Sequence, residues 1–283
     1  MKTAILALQR YEKDIHDWID YHLYKIGFDH IFILDDNDDN DPLVIHNDRV
    51  TTYKVKLNCN GFYTFAQMNL YNKYFDKIHE LGYDWLAVID VDEYIDFYGY
   101  TVKEYLQDRY EKDGYNAIEI PWVTYSDNDI IINDRYDIFN VYTSETTTKR
   151  GEWNSDFFSW GKTLFKLDRN IVMSEHPHWI HNHIYPNNEP INRLRENEHT
   201  AKIRHYVTKS LDDYLNKVRY RKYRNVSQTY RCGGIVNTYF MYNEISLKKI
   251  EAFEILAQLK DIELTTQEKQ DLVNLKTKLL NGF

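Results

Sequence analysis

Apolar and polar positions alternate along the first third of this chain in a regular order. Thr3–Leu8 is a short continuous apolar run and reads as a buried strand. In Asp14–Ile26 the residues Ile15, Trp18, Ile19, His22, Leu23 and Ile26 recur at helical spacing on one face, and Gly27 stands where a helix C-cap belongs. His30–Leu34 reads as a second strand and Val50–Lys56 as a third. Phe65–Glu80 reads as a second helix closed by Gly82, and Trp85–Asp90 as a fourth strand. The order β-α-β-β-α-β predicts an α/β fold of Rossmann type: a mostly parallel sheet with helices on both faces.

The pattern changes after residue 93. Val102–Tyr110 predicts a short helix and Asn116–Val123 a strand, with Pro121 marking a sheet edge or strand end. Residues 124–160 are polar and aromatic with few periodic runs. Lys162–Leu167 alternates like a strand. Leu211–Tyr223, Ser246–Leu259 and Thr266–Leu280 predict C-terminal helices, and Asn225–Asn237, which holds Gly233-Gly234, is the segment expected to move. Three regions are expected: 1–123 as the first α/β half, 124–210 as a second half completing the same domain, and 211–283 as a helical extension.

Composition narrows the function. A formal net charge of −9 argues against a nucleic-acid binder driven by phosphate attraction. The two cysteines, Cys59 and Cys232, have no metal-type spacing and fit a reducing compartment. The apolar stretch at the N-terminus is too short for a secretory signal, and no window approaches the roughly 20 apolar residues of a membrane span, so a soluble cytoplasmic protein is expected. The 25 tyrosines, 13 phenylalanines and 6 tryptophans fit either a sugar-binding surface or a compositional bias.

Several clusters carry candidate chemistry. The fourth apolar run ends in Asp90, Asp92 and Glu93. Carboxylates at the carboxyl end of such a strand sit where open α/β sheets bind ligands, and acids two residues apart on extended backbone project to one side. The second strand ends in Asp35-Asp36, read either as acids that accept hydrogen bonds from a nucleoside or as a polar turn with no role. A calcium-hand reading of Asp35–Asp41 fails, because Asn40 replaces the turn glycine and His46 the bidentate glutamate. His176, His178, His181 and His183 form a dense cluster, read either as site-lining or as a polar loop. Residues 217–231 carry Lys217, Arg219, Arg221, Lys222, Arg224 and Arg231 with no acid. That run could clamp a diphosphate, face an anionic membrane, or be a solvated helix face. At Arg204-His205 a histidine ends a short strand, and Ser210 with Asp213 predicts a capped helix start.

Three blocks in this order resemble GT-A-type glycosyltransferases, near glycosyltransferase family 92 and bacterial family 2-like transferases. They are Asp17-Trp18-Ile19-Asp20-Tyr21-His22-Leu23 through Gly27 to Asp35-Asp36-Asn37; Trp85 through Asp90-Val91-Asp92-Glu93-Tyr94; and Arg204-His205-Tyr206 through Lys209-Ser210, Tyr214 and Lys217. The chain departs from that pattern after strand one, where Gln9-Arg10-Tyr11-Glu12 stands in place of Lys-Asn-Glu.

The resemblance implies a GT-A-like fold, a nucleotide-diphosphate sugar donor, UDP above all, and Mn2+ or Mg2+ as cofactor. Metal ligation is implied for Asp92, Asp90 and His205, and donor contacts for Leu8, Arg10, Asp35, Asp36, Asp90 and Lys162. Glu175, Asp156 and His178 are the candidates for a general base. Lys217, Arg221, Lys222 and Arg224 are candidates for diphosphate or membrane contact. The implied reaction is hexose transfer with inversion to a glycan or lipid-linked oligosaccharide acceptor in bacterial surface polysaccharide synthesis. It would run in the cytoplasm, or peripherally at the anionic inner face of the membrane. In that reading 1–123 binds the nucleotide sugar and 124–210 faces the acceptor. Two other classes compete: a metal-dependent hydrolase using the Asp and His clusters, and a non-catalytic sugar-binding module.

Overall fold

A computed structural model describes residues 1–57, 63–134, 137–146, 161–167, 173, 192–222 and 234–281. The chain divides into two compact units, one of Met1–Val123 with Asp156–His205 and one of Thr124–Ser155 with Tyr206–Phe283.

The first unit is built on a sheet. Its strands are β1 (Thr3–Gln9), β2 (His30–Asp35), β3 (Val50–Lys54), β4 (Trp85–Val88), β5 (Glu93–Asp96), β6 (Ala117–Thr124), β7 (Gly161–Lys166), β8 (Arg193–Arg195) and β9 (Lys202–His205). The strand order is β3-β2-β1-β4-β7-β6-β9-β5, with β8 also against β6. The strands β3, β2, β1 and β4 are mutually parallel, while β7 runs antiparallel to both β4 and β6.

Helix α1 (Ile15–Asp20), continued by a π turn over Tyr21–Lys25, connects β1 to β2; helix α2 (Tyr63–Glu80) connects β3 to β4. The first connection steps one way along the sheet and the second steps back the other way. Right-handed crossovers of opposite direction put their helices on opposite faces. The fold is therefore α/β with a mostly parallel sheet, as the apolar pattern predicts. The central strands are buried because both faces are covered, and Ile5, Ile31, Ile33, Leu86 and Ile118 are fully enclosed. Burial of each such side chain contributes roughly 1.5–3 kcal/mol.

Two backbone features fix the middle of the sheet. Gly161 opens β7 against Ile120, and a Cβ there would lie 2.1 Å from the Ile120 carbonyl oxygen, so only glycine permits this pairing. Pro121 pairs with Gly161 one position on, beyond the residues of β6 that β8 covers, where its missing N–H costs no ladder bond to β8. A short helix α3 (Val102–Leu106), capped by Thr101 and Glu104, ends in a π turn over Gln107–Lys112.

The second unit is helical: α4 (Ile138–Val141), α5 (Leu211–Lys222), α6 (Ile235–Tyr242), α7 (Leu247–Leu259) and α8 (Thr266–Leu280). Ser210 and Asp213 cap α5 reciprocally, as their spacing predicts. Leu211, Leu215, Val236, Tyr239, Ile250 and Phe253 form its core. Inside lies a buried ion pair: Lys249 Nζ donates to Asp127 Oδ1 at 2.9 Å and to the Glu244 carbonyl at 3.0 Å, and the Tyr239 hydroxyl donates to Asp127 Oδ2. Asn243 accepts from the Asp127 N–H at 2.7 Å and donates to Thr208.

Within 124–160 the described residues hold α4 and a bridge between Tyr125 and Glu145. Residues 235–237, expected within a moving segment, open α6; the rest of Asn225–Asn237 is outside the described residues except Gly234. Many of the tyrosines are core: Tyr71, Tyr94, Tyr142, Tyr206 and Tyr239 are buried, while Tyr24, Tyr98 and Tyr100 are exposed. Among the described residues no helix is long and apolar enough to cross a membrane.

Candidate metal and nucleotide site

The chain leaves β1 toward β2 on one side, and β4 lies on the other. The carboxyl ends of β1 and β4 therefore bound the crevice where open α/β sheets place ligands. In register, Gln9 of β1 pairs with Asp35, and the N–H of Ile89 donates to the carbonyl of Leu6. The acids after β2 and β4 thus flank the end of β1, about 10 Å apart at two interstrand spacings.

The acids after β4 do not continue its strand. Val91 and Asp92 turn, and Glu93 starts β5, which pairs antiparallel with β9 so that Glu93 faces His205. This turn brings together Asp92, Glu93 and His205, each offering a ligand atom within 4.8 Å of the other two. His205 Nε2 lies 3.8 Å from Asp92 Oδ1 and 3.8 Å from Glu93 Oε1. The Trp122 ring lies 4.4 Å from the His205 ring and walls the cluster on that side.

Asp90 is held differently. Lys162, fully buried on β7, places Nζ 2.8 Å from Asp90 Oδ2 and 3.5 Å from Glu93 Oε2. Gln67 of α2 donates to Asp90 Oδ1 at 3.2 Å, and the Asp90 N–H donates to Glu93 Oε2 at 2.9 Å. Burial pushes the Glu93 carboxyl well above its ordinary pKa, with Lys162 pulling against it and Asp90 and Asp92 adding to it. Burial opposes the charge on Lys162, but Asp90 and Glu93 together hold its pKa above the ordinary value.

At the other lip, Asp35 is engaged on all sides. It accepts from Gln9 at 2.5 Å, from the N–H groups of Asn37 and Leu43 at 3.1 and 3.0 Å, and pairs with Lys54 at 3.2 Å. These bonds fold the loop after β2 around one carboxylate. Asp36 accepts from the Leu57 N–H at 2.8 Å and faces Arg10, whose guanidinium donates to the Asp36 carbonyl at 2.5 Å and reaches Asp38. Leu8 is buried within β1.

The structure thus gathers Asp90, Asp92, His205 and Lys162 at one strand end, and Arg10, Asp35 and Asp36 at the next. Glu93 and Gln67 join them, and sequence reasoning gave neither a role. Glu93 is signalled only by its place after the two aspartates, and Gln67 by nothing local. Lys217 lies on α5 in the second unit. Asp156, Glu175, His178, Arg224 and the His176–His183 cluster fall outside the described residues, as do the side chains of Arg221 and Lys222.

This defines an α/β protein with an acid-rich strand-end crevice. No protein-family model matches the chain, and no curated protein does. Among solved structures it is similar to S. aureus TarS at 13% identity and a TM-score of 0.39, covering 99% of this chain and 54% of that one. It is similar also to A197 from STIV at 12% identity and a TM-score of 0.36, covering 73% and 86%. S. aureus TarS 1-349 in complex with UDP matches at 12% identity and a TM-score of 0.38, covering 98% and 88%. The chain spans about half the length of the longer TarS chain.

Proposed function

We propose that this chain is a metal-dependent glycosyltransferase that takes a hexose from a nucleotide-diphosphate sugar, UDP-linked above all. The observation that carries the reading is the Asp92, Glu93 and His205 cluster at the sheet's ligand-binding end. Two carboxylates and one imidazole suit a divalent ion such as Mn2+, with Mg2+ as the harder alternative. Three buried groups of this kind, with ligand atoms within 4.8 Å of one another, form a donor set that fits a cation. Such an ion, when bound, supplies neutralisation of the charge on a nucleoside diphosphate leaving group.

The chain's own residues supply the rest. Asp90, fixed by Lys162 and Gln67 yet partly exposed, is set to accept a hydrogen bond from a donor hydroxyl. Lys162 keeps the acid cluster from being a bare excess of negative charge. Arg10 is tied to the loop after β2 and orders its lip of the crevice. Inversion would need a base to take the acceptor's proton, and Glu175, Asp156 and His178 remain the candidates. The acceptor is read as a glycan or lipid-linked oligosaccharide of a bacterial surface polysaccharide, approached from the cytoplasm.

Calorimetry with a panel of nucleotide sugars, with and without Mn2+, tests the reading. Metal-dependent binding of one nucleotide class is expected. Binding of none of them, or equal binding without metal, would overturn it.

A further inference from the structure

β5 is the last strand in the sheet order, paired with β9 on one edge only. An edge strand leaves alternate backbone N–H and C=O groups without a strand partner. Here side chains of the first helix take that place. Trp18 Nε1 donates to the Glu93 carbonyl at 2.7 Å, and the Tyr21 hydroxyl donates to the Ile95 carbonyl at 2.8 Å. His22 Nε2 accepts from the Ile95 N–H at 3.3 Å. Nδ1 of the same ring lies 2.9 Å from the Trp18 carbonyl, to which it donates in the tautomer that leaves Nε2 an acceptor. The three residues stand at i, i+3 and i+4, so one helix face delivers all three groups.

This arrangement bears on the cluster of carboxylates and histidine. In an antiparallel pair a residue turns both its backbone groups to the same side. With Glu93 and Ile95 turned toward α1, the Glu93–His205 pair is a non-hydrogen-bonded one, the kind that brings facing side chains closest, with Cα atoms about 4.5 Å apart. A shift of β5 by one position would turn Glu93 to the opposite face and break up the cluster.

We propose that Trp18, Tyr21 and His22 are positioning residues for a divalent cation at Asp92, Glu93 and His205: they fix the register and edge of β5, and through it the ligand geometry. The inference rests on the cation site proposed above. Tyr21 and His22 touch no ligand atom of that cluster through any contact described, so they act through the β5 backbone. His22 is fully buried and neutral, which suits a group whose task is one donated and one accepted hydrogen bond.

The test is direct titration of the full chain with Mn2+, following free Mn2+ by electron paramagnetic resonance, with circular dichroism and Tm measured alongside. Tyr21→Phe and His22→Asn should each weaken Mn2+ binding by about ten-fold with the fold retained, the size seen when an outer partner of a metal ligand is lost. His22→Gln, whose amide oxygen can still accept from Ile95, should bind close to wild type. Phe75→Leu, a core change on α2 against Phe165, serves as a control: it should lower Tm without changing Mn2+ affinity. Variants that bind Mn2+ like wild type, or that lose no more than Phe75→Leu does at equal Tm loss, would overturn the positioning role. A wild-type protein that binds no Mn2+ would instead overturn the cation site, and with it the function proposed above.

Discussion

Lys162 Nζ and Asp90 Oδ2 meet at 2.8 Å across 72 residues of sequence, joining the end of β4 to the start of β7 inside the candidate site. The lysine is buried and the aspartate partly exposed. This contact makes one cation common to two carboxylates, because Glu93 shares it at 3.5 Å.

Lys162→Met should therefore be strongly destabilising. Removing one partner of a buried pair leaves an uncompensated charge and costs about 3–5 kcal/mol. Part of this should return in Lys162→Met with Glu93→Gln, which removes the more buried of the two carboxyls left without their cation. Urea unfolding of the three proteins measures it, and equal stability of Lys162→Met and wild type would refute the shared-cation description.

Asp92→Asn should lower Mn2+ affinity by more than ten-fold while leaving the circular dichroism spectrum and Tm close to wild type. His205→Ala should do the same. Retained affinity in Asp92→Asn would remove Asp92 from the ligand set.

Stability should fall in mild acid because of His22. Burial lowers its pKa from 6.5 to about 3, while its bond to the Trp18 carbonyl acts the other way. The folded state keeps the ring neutral and the unfolded chain takes up a proton, so stability is full above about pH 6.5 and declines toward pH 3. The slope reaches at most about 1.4 kcal/mol per pH unit from this group. Urea midpoints between pH 7 and pH 4 should drop more steeply for wild type than for His22→Gln, and parallel curves would contradict the assignment.

In the helical unit, Lys249→Met should cost about 3–5 kcal/mol, because Asp127 would stay buried opposite Tyr239 and Asn243 with no cation. Lys249→Met with Asp127→Asn should recover part of that. A Tm unchanged in the single variant would show that the pair adds nothing to stability.

The sheet was legible from sequence because its signals are local. Ile15, Trp18, Ile19, His22, Leu23 and Ile26 mark one helix face, and every one of them is buried. The apolar runs of β1, β2 and β4 end within two residues of where periodicity puts them. β5 and β8 span only four and three residues, too short for period-two alternation to register, whereas β9 ends at His205 as the sequence suggests; β5 takes its place through Trp18, Tyr21 and His22. The site follows the same division. Asp90 and Asp92 stand out because an apolar run stops at them. Glu93 becomes a ligand candidate only through its pairing with His205, and Gln67 reaches Asp90 from another element; neither depends on residues nearby in sequence. Asp35 stands out in sequence by its place after an apolar run, and its bonds to Gln9, Asn37 and Leu43, which fold its own loop, could be found only in the structure.

The indole, phenol and imidazole along the margin of β5 also have a consequence for the molecule in a crowded solution. Every rung they occupy is one that a foreign segment cannot use to zip itself on, so this border should resist recruitment into intermolecular β-structure even when the protein is concentrated.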